Sequence, residues 1–198
     1  LPLAEARNRA AHAARQPVLV FLDVDCIPAA GLVEALARDA LAHDALICCE
    51  IRYLPAGATP GDAAWEESRL LAQGLRHTVR HFPESGIRPE SNTGLFWSLC
   101  FAVRRDTFLR LGGFDEAYVG YGGEDTDFAQ RARAAGLALG WDGSARAYHQ
   151  HHPTSRPPVQ HAASIVRNAN LFHERWGEFP MLGWLLEMQR LGAVRLDA

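Results

Sequence analysis

Val18-Leu19-Val20-Phe21-Leu22-Asp23-Val24-Asp25 is a buried-strand pattern that ends in two carboxylates. Five apolar residues in a row suit a strand covered on both faces, as strands of parallel sheets are, and the carboxyl ends of such strands open onto ligand crevices. In an extended chain Asp23 and Asp25, two residues apart, project to one side. Like charges that close call for a cation or strong hydrogen-bond donors; an exposed turn with a capping aspartate is the plainer alternative.

Outward from this strand, Leu3 to Ala14 is rich in Ala, Arg and Glu and predicts a helix, stopped by Gln16-Pro17. Downstream, Pro28 marks a helix start, with Leu32, Leu36 and Ala40 on one face. Strands are predicted at Leu46 to Ile51, Leu99 to Val103, Leu137 to Trp141 and Ala145 to His149. Helices are predicted at Ala63 to Val79, Asp106 to Leu111, Glu124 to Ala135, Val159 to Trp176 and Pro180 to Leu191. The segments 55–62, 81–94 and 153–158 carry the Gly and Pro of loops. The alternation predicts one α/β domain over 1–198, a mixed, mostly parallel sheet flanked by helices, with 159–198 as a C-terminal helical extension. A helix feeding straight into the acidic strand further predicts that an earlier part of the sheet, at least one βαβ unit of roughly 30 residues, is missing before Leu1.

The 198 residues are 48% hydrophobic and 22% charged, enough for one substantial core. A net charge of −3 without any Lys/Arg block argues against nucleic acid as a partner. Cys26, Cys48, Cys49 and Cys100 lie in apolar surroundings without Cys-x-x-Cys spacing, which predicts buried thiols in a reducing compartment. That fits a cytoplasmic location, free or peripheral to the inner face of the membrane. No apolar run approaches the roughly 18 to 20 residues of a spanning helix.

A second acidic cluster, Gly122-Gly123-Glu124-Asp125-Thr126-Asp127, opens the predicted helix at Glu124. Acidic residues suit the first turn of any helix. That does not account for Gly120-Tyr121-Gly122-Gly123, in which an aromatic between glycines offers a stacking surface beside open backbone. In Tyr148-His149-Gln150-His151-His152, strand alternation sends His149 and His151 to one face and His152 elsewhere. One imidazole completing an oxygen-rich shell is expected, and spacing alone does not choose it. Arg7 and Asn8 read equally as solvent-facing residues or as holders of phosphate. Trp97 reads as core before sugar platform, and Phe179 to Leu186 as a docked helix before a membrane contact.

Taken together, these motifs resemble family 2 glycosyltransferases of the GT-A fold and, in the second half, the related galactosyltransferase C-terminal region. Ala6-Arg7-Asn8-Arg9 and Phe21 to Asp25 match an Ala-Arg-Asn segment and an Asp-x-Asp motif. Phe108 to Glu116, Tyr118 and Gly120 to Asp127 match Gly-Gly-Phe-Asp-Glu and Gly-Gly-Glu-Asp elements, and Tyr148-His149-Gln150 a Tyr-His-Gln motif. The resemblance implies an inverting transfer from a nucleoside-diphosphate sugar, most often uridine-linked, to a hydroxyl of a saccharide, lipid or metabolite, with a manganese or magnesium ion. It assigns Asp25 and His149 to the metal, Asp125 to the general base and Glu124 to holding acceptor or sugar. Arg7, Asp23, Tyr121 and Gly123 fall to the donor. The family's first nucleotide-gripping strands have no counterpart before Leu1.

Two other readings compete. Leu19 to Ile27 also resembles the first motif of haloacid-dehalogenase-type phosphatases, with Asp23 as nucleophile and Asp25 as acid/base. Ile27 stands where Thr or Val is expected, and the chain has no lysine to complete that site. A sugar- or nucleotide-binding module without turnover is the third.

Overall fold

A computed structural model describes residues 2–58 and 66–196. Helix α1, Leu3–Ala13, leads into β1, Val18–Leu22; a turn then delivers β2, Cys26–Pro28, and α2, Leu32–His43. Strand β3, Leu46–Tyr53, is followed by α3, Glu67–Gln73, β4, Leu75–Arg76, and β5, Ile87–Glu90. Next come β6, Cys100–Arg104, α4, Arg105–Arg110, α5, Glu124–Ala134, and β7, Leu139–His149. Helices α6, Ala162–Trp176, and α7, Leu182–Arg190, complete the described chain. The strands form one seven-stranded sheet in the order β1-β6-β3-β7-β2, with β4 on β3 and β5 on β7.

The continuous apolar runs are explained by which side each residue faces. Leu46 and Cys48 of β3, Phe101 and Val103 of β6, and Leu19 and Phe21 of β1 pack toward α1, α4 and α5. Ile47, Cys49 and Ile51, Cys100 and Ala102, and Val18, Val20 and Leu22 pack toward α2. Both faces are therefore covered, and the one carboxylate in these runs, Glu50, is buried against Arg52, Arg76 and Arg146. The first layer is built on phenylalanines, with Phe21 stacked on Phe101 at 4.6 Å and Phe114 on Phe128 at 4.6 Å between ring centres. Fully burying each such ring stabilises the fold by roughly 1.5–3 kcal/mol. All four cysteines are buried free thiols.

The sheet is mixed, but it is not mostly parallel. Among the described residues only the ladder between β3 and β7 is parallel, and the other five are antiparallel. Here α2 joins β2 to β3 and α5 joins β6 to β7, pairs that are not neighbours, while α3 joins β3 to its antiparallel neighbour β4, so helix and strand alternation does not impose parallel pairing. The segments 137–141 and 145–149 are one strand, β7, whose register on β3 jumps from Cys49↔Asp142 to Glu50↔Arg146. Gly143 lies in that bulge with Pro83 so close that a Cβ would sit 2.0 Å from its carbonyl oxygen. Pro28 ends β2 rather than starting a helix; α2 begins after Gly31, which holds φ +75°. The stretch 81–94 contains the edge strand β5, which accommodates Pro89. The helix expected over 63–79 is cut to α3 by Gly74, with Arg52 Cβ 2.7 Å from where its own Cβ would be, and residues 63–65 lie outside the described residues. None of the described helices is long and apolar enough to cross a membrane.

Candidate active site

Residues Asp23, Val24 and Asp25 carry the chain from β1 at one end of the strand order to β2 at the other. They do so as a turn, closed by the Cys26 N–H donating to the Asp23 carbonyl at 2.9 Å. The two carboxylates therefore go to different partners instead of sharing one side of an extended strand. Pairing of Cys26 with His149 places Asp25 against the end of β7, where Gln150 N–H donates to the Asp25 carbonyl at 2.8 Å. The Nε2 atoms of His149 and His152 lie 3.3 and 3.4 Å from Asp25 Oδ2. One ligand atom from each of the three residues lies within 4.8 Å of the others. His152 joins because β7 ends at His149 and strand periodicity stops there; His151 is not in the cluster. Two imidazoles and a carboxylate form a donor set that fits a first-row divalent ion such as Mn2+ better than Mg2+, which prefers an all-oxygen shell.

Asp23 turns to Arg7. The Arg7 guanidinium donates through Nη2 to Asp23 Oδ1 at 3.1 Å and through Nη1 to Glu124 Oε1 at 3.2 Å, tying the end of β1 to the start of α5. Arg7 is thus held between the two acidic motifs rather than facing solvent. Asp23, the nucleophile of the phosphatase reading, is held in an ion pair. Its neighbour Asn8 donates to the Phe114 carbonyl at 2.8 Å and accepts from the Phe114 N–H at 2.9 Å, fixing the Gly-Gly-Phe-Asp-Glu segment to α1.

Glu124 and Asp125 head α5, behind Gly123 at φ +94°. Burial raises the Glu124 carboxyl to about 7; the adjacent Asp125 adds to the rise and Arg7 opposes it. Burial also raises Asp125, opposed by Arg7 and by the N–H groups of Thr126 and Ser98. Both carboxyls are thus more basic than free ones. Asp127 instead faces inward, fully buried, and accepts from Arg131, Arg175, Trp176 and Tyr118 at 2.8 to 3.3 Å. Gly123 is buried and meets the protein rather than open space, since a Cβ there would lie 3.1 Å from the Tyr118 ring. Tyr121 is the exposed member of the loop, stacked on His161 at 4.9 Å between ring centres and 12° between planes. Burial raises its phenol, and Asp125, Glu124, Asp23 and Asp25 add to the rise, which puts Tyr121 within electrostatic reach of all four carboxylates.

Of the residues around this arrangement, Asn168, His77 and Tyr53 belong to none of the sequence motifs, and Trp97 reads in the sequence as core before sugar platform. Asn168 on α6 is 1% exposed and its Nδ2 donates to the carbonyls of Gly122 at 2.8 Å and of Val119 and Tyr121 at 3.3 Å. An asparagine on the buried stripe Ile165, Asn168, Ala169, Phe172 was the signal available in the sequence. Trp97 belongs to no hydrophobic cluster. It meets His77 edge-on at 4.7 Å, and His77, Tyr53 and His149 continue the aromatic wall at 5.8 and 5.3 Å.

Two family models match the chain. That of glycosyl transferase family 2 matches residues 2–111, and one described as the N-terminal domain of galactosyltransferase matches residues 76–164. Among characterised relatives, validoxylamine A glucosyltransferase of Streptomyces hygroscopicus subsp. jinggangensis (strain 5008) is 30% identical over 158 residues, 69% of this chain and 36% of its own. N-acetylglucosaminyl-diphospho-decaprenol L-rhamnosyltransferase of Mycobacterium tuberculosis (strain CDC 1551 / Oshkosh) is 35% identical over 102 residues, 49% of this chain and 33% of its own. The chain thus spans about a third of the length of these relatives. A crystal structure of GalNAc-T7 with UDP, GalNAc and Mn2+ superposes with a TM-score of 0.60 over 98% of this chain and 38% of that one, at 19% identity. At that identity the likeness establishes the fold, which is GT-A.

Proposed function

This chain belongs to glycosyl transferase family 2, and on that premise we propose that it moves a sugar from a nucleoside-diphosphate donor, uridine-linked, to an acceptor hydroxyl with inversion. The observation that carries the reading is the pairing of two groups across one turn of chain. Asp25, His149 and His152 form a divalent-ion donor set, and the basic carboxylates Glu124 and Asp125 are joined to it through Arg7 and Asp23. The sugars in the names of the relatives and of the superposed structure differ, so the reading stops at the class of donor.

Asp25, His149 and His152 would hold Mn2+ or Mg2+, which when bound supplies positive charge to the diphosphate leaving group. Asp125 takes the proton of the acceptor hydroxyl as its oxygen bonds to the anomeric carbon and the bond from that carbon to the diphosphate breaks. A carboxylate with a raised pKa is the better base for this transfer near neutral pH. Glu124, anchored by Arg7, holds the acceptor or the sugar, and Tyr121 provides a ring face beside them.

The test is a calorimetric titration of uridine diphosphate with and without Mn2+, on the wild type and on Asp25→Asn. Binding that requires both the ion and Asp25 is expected. Binding indifferent to both would sink the reading, and binding without turnover of any donor would favour the module that lacks catalysis.

A further inference from the structure

Arg80 is 4% exposed, and its guanidinium carbon lies 5.4, 5.1 and 4.8 Å from the ring centres of Phe82, Trp97 and Trp141. Its Nε and Nη2 are buried with no hydrogen-bond partner. Among the described residues no carboxylate pairs with it, whereas Arg7, Arg131 and Arg175 each hold at least one. Ring faces attract the flat sides of a guanidinium. They leave the Nε–Nη2 edge unsatisfied, although the guanidinium also meets the Tyr53 hydroxyl, and enclosing a cation without an anion is costly. The edge is shaped for two oxygens of one carboxylate or phosphate.

The place of Arg80 says whose oxygens. On one side it neighbours Tyr53, whose ring is 5.3 Å from that of His149 in the ion-binding set. On the other it lies on Trp97, next to Ser98, whose N–H faces Asp125. A donor bound by the proposed mechanism has its diphosphate at the first side and its sugar between the two. One carboxylate against a dication leaves less positive charge than a diphosphate carries negative charge. The chain has no lysine, and Arg7 is held by Asp23 and Glu124.

We infer that Arg80 in its ring cage is an oxyanion receptor of the donor site, taking either the diphosphate or a carboxylate borne by the donor sugar. The inference rests on the transferase reading. An incoming oxygen enters past Trp97 and His77, and its arrival perturbs the two cage tryptophans.

The test titrates uridine diphosphate, UDP-glucose, UDP-glucuronate and inorganic phosphate in the presence of Mn2+, read by calorimetry and tryptophan emission, on wild type, Arg80→Gln and Arg80→Lys. At least a tenfold loss in Arg80→Gln, with Arg80→Lys between it and wild type, is expected. A loss shared by all three uridine ligands assigns the diphosphate; a loss confined to UDP-glucuronate assigns the sugar carboxylate. If Arg80→Gln does not fold, Arg80→Lys, which keeps stem and charge but not the fork, decides by the same comparison. Wild-type affinity in the folded variants for every ligand would overturn the receptor and leave the transferase reading standing. Arg80-dependent binding of inorganic phosphate by a wild type that ignores every uridine ligand would overturn the transferase reading and with it the assignment of Arg80 to a donor, and failure to bind any of the four would likewise overturn both.

Discussion

Arg7 on the first helix donates to Glu124 at 3.2 Å although 117 residues separate them in sequence. The same guanidinium holds Asp23, so one cation balances two carboxylates from the two motifs on which the reading of this chain depends. Removing it leaves the buried Glu124 and the half-buried Asp23 uncompensated.

Arg7→Ala is therefore expected to destabilise the fold by about 3 kcal/mol or more, measured by denaturant unfolding. It also removes the group that opposes the rise of Glu124 and Asp125. The acid limb of the pH–rate profile should move to higher pH, and a profile that does not move would show that neither carboxylate takes part.

Glu124 makes stability depend on pH. Its folded pKa, about 7, is above the ordinary 4.5, so its contribution to stability is fully present below pH 4.5 and is lost as pH rises through 7. Glu124→Gln should thus gain on wild type between pH 5 and pH 8, by on the order of 1–3 kcal/mol. Thermal unfolding at the two pH values checks it; equal differences at both would contradict the raised carboxyl.

The metal set makes a choice among histidines testable. His152→Ala and His149→Ala should each weaken Mn2+ binding at least as much as the roughly 10- to 100-fold typical of a lost outer-shell partner, while His151→Ala should leave it unchanged. Electron paramagnetic resonance of Mn2+ titrated into each variant gives the affinities. Equal effects at 151 and 152 would dissolve the cluster.

Asn168→Ala removes the side-chain donor to the Tyr121 and Gly122 carbonyls and leaves that of Val119 to Arg167 alone. A loss of about 1–3 kcal/mol is expected, together with a fall in kcat larger than any rise in donor KM, because the loop leads directly into Glu124 and Asp125. Steady-state kinetics at a temperature where the variant is fully folded separates the two effects. An unchanged kcat there would make Asn168 purely structural.

The parts readable from sequence were those governed by local rules. Val18–Leu22, the head of α5 at Glu124 and the helix over Leu3–Ala13 follow from apolar runs, glycine and proline. What escaped was decided by neighbours distant in the chain. Strands β2 and β5 are three and four residues long and exist because β7 offers them an edge. The break between 141 and 145 disappears because β3 absorbs it as a bulge. For the site, Asp25 and His149 follow from motifs, whereas His152 depends on where β7 stops, and Asn168 on how α6 lies over a loop nearly fifty residues earlier.

Strand β7 holds the sheet together, yet it is made late: it pairs with β2, β3 and β5, all far upstream. During synthesis the upstream strands must wait, with Leu46 to Cys49 apolar on both faces, until residue 149 has emerged. Such non-local pairing is slow, and exposed strand edges associate with one another in the interval. Truncations ending before β7 should accordingly aggregate rather than leave a smaller folded core, and a chaperone that shields β3 should raise the yield of the 198-residue chain.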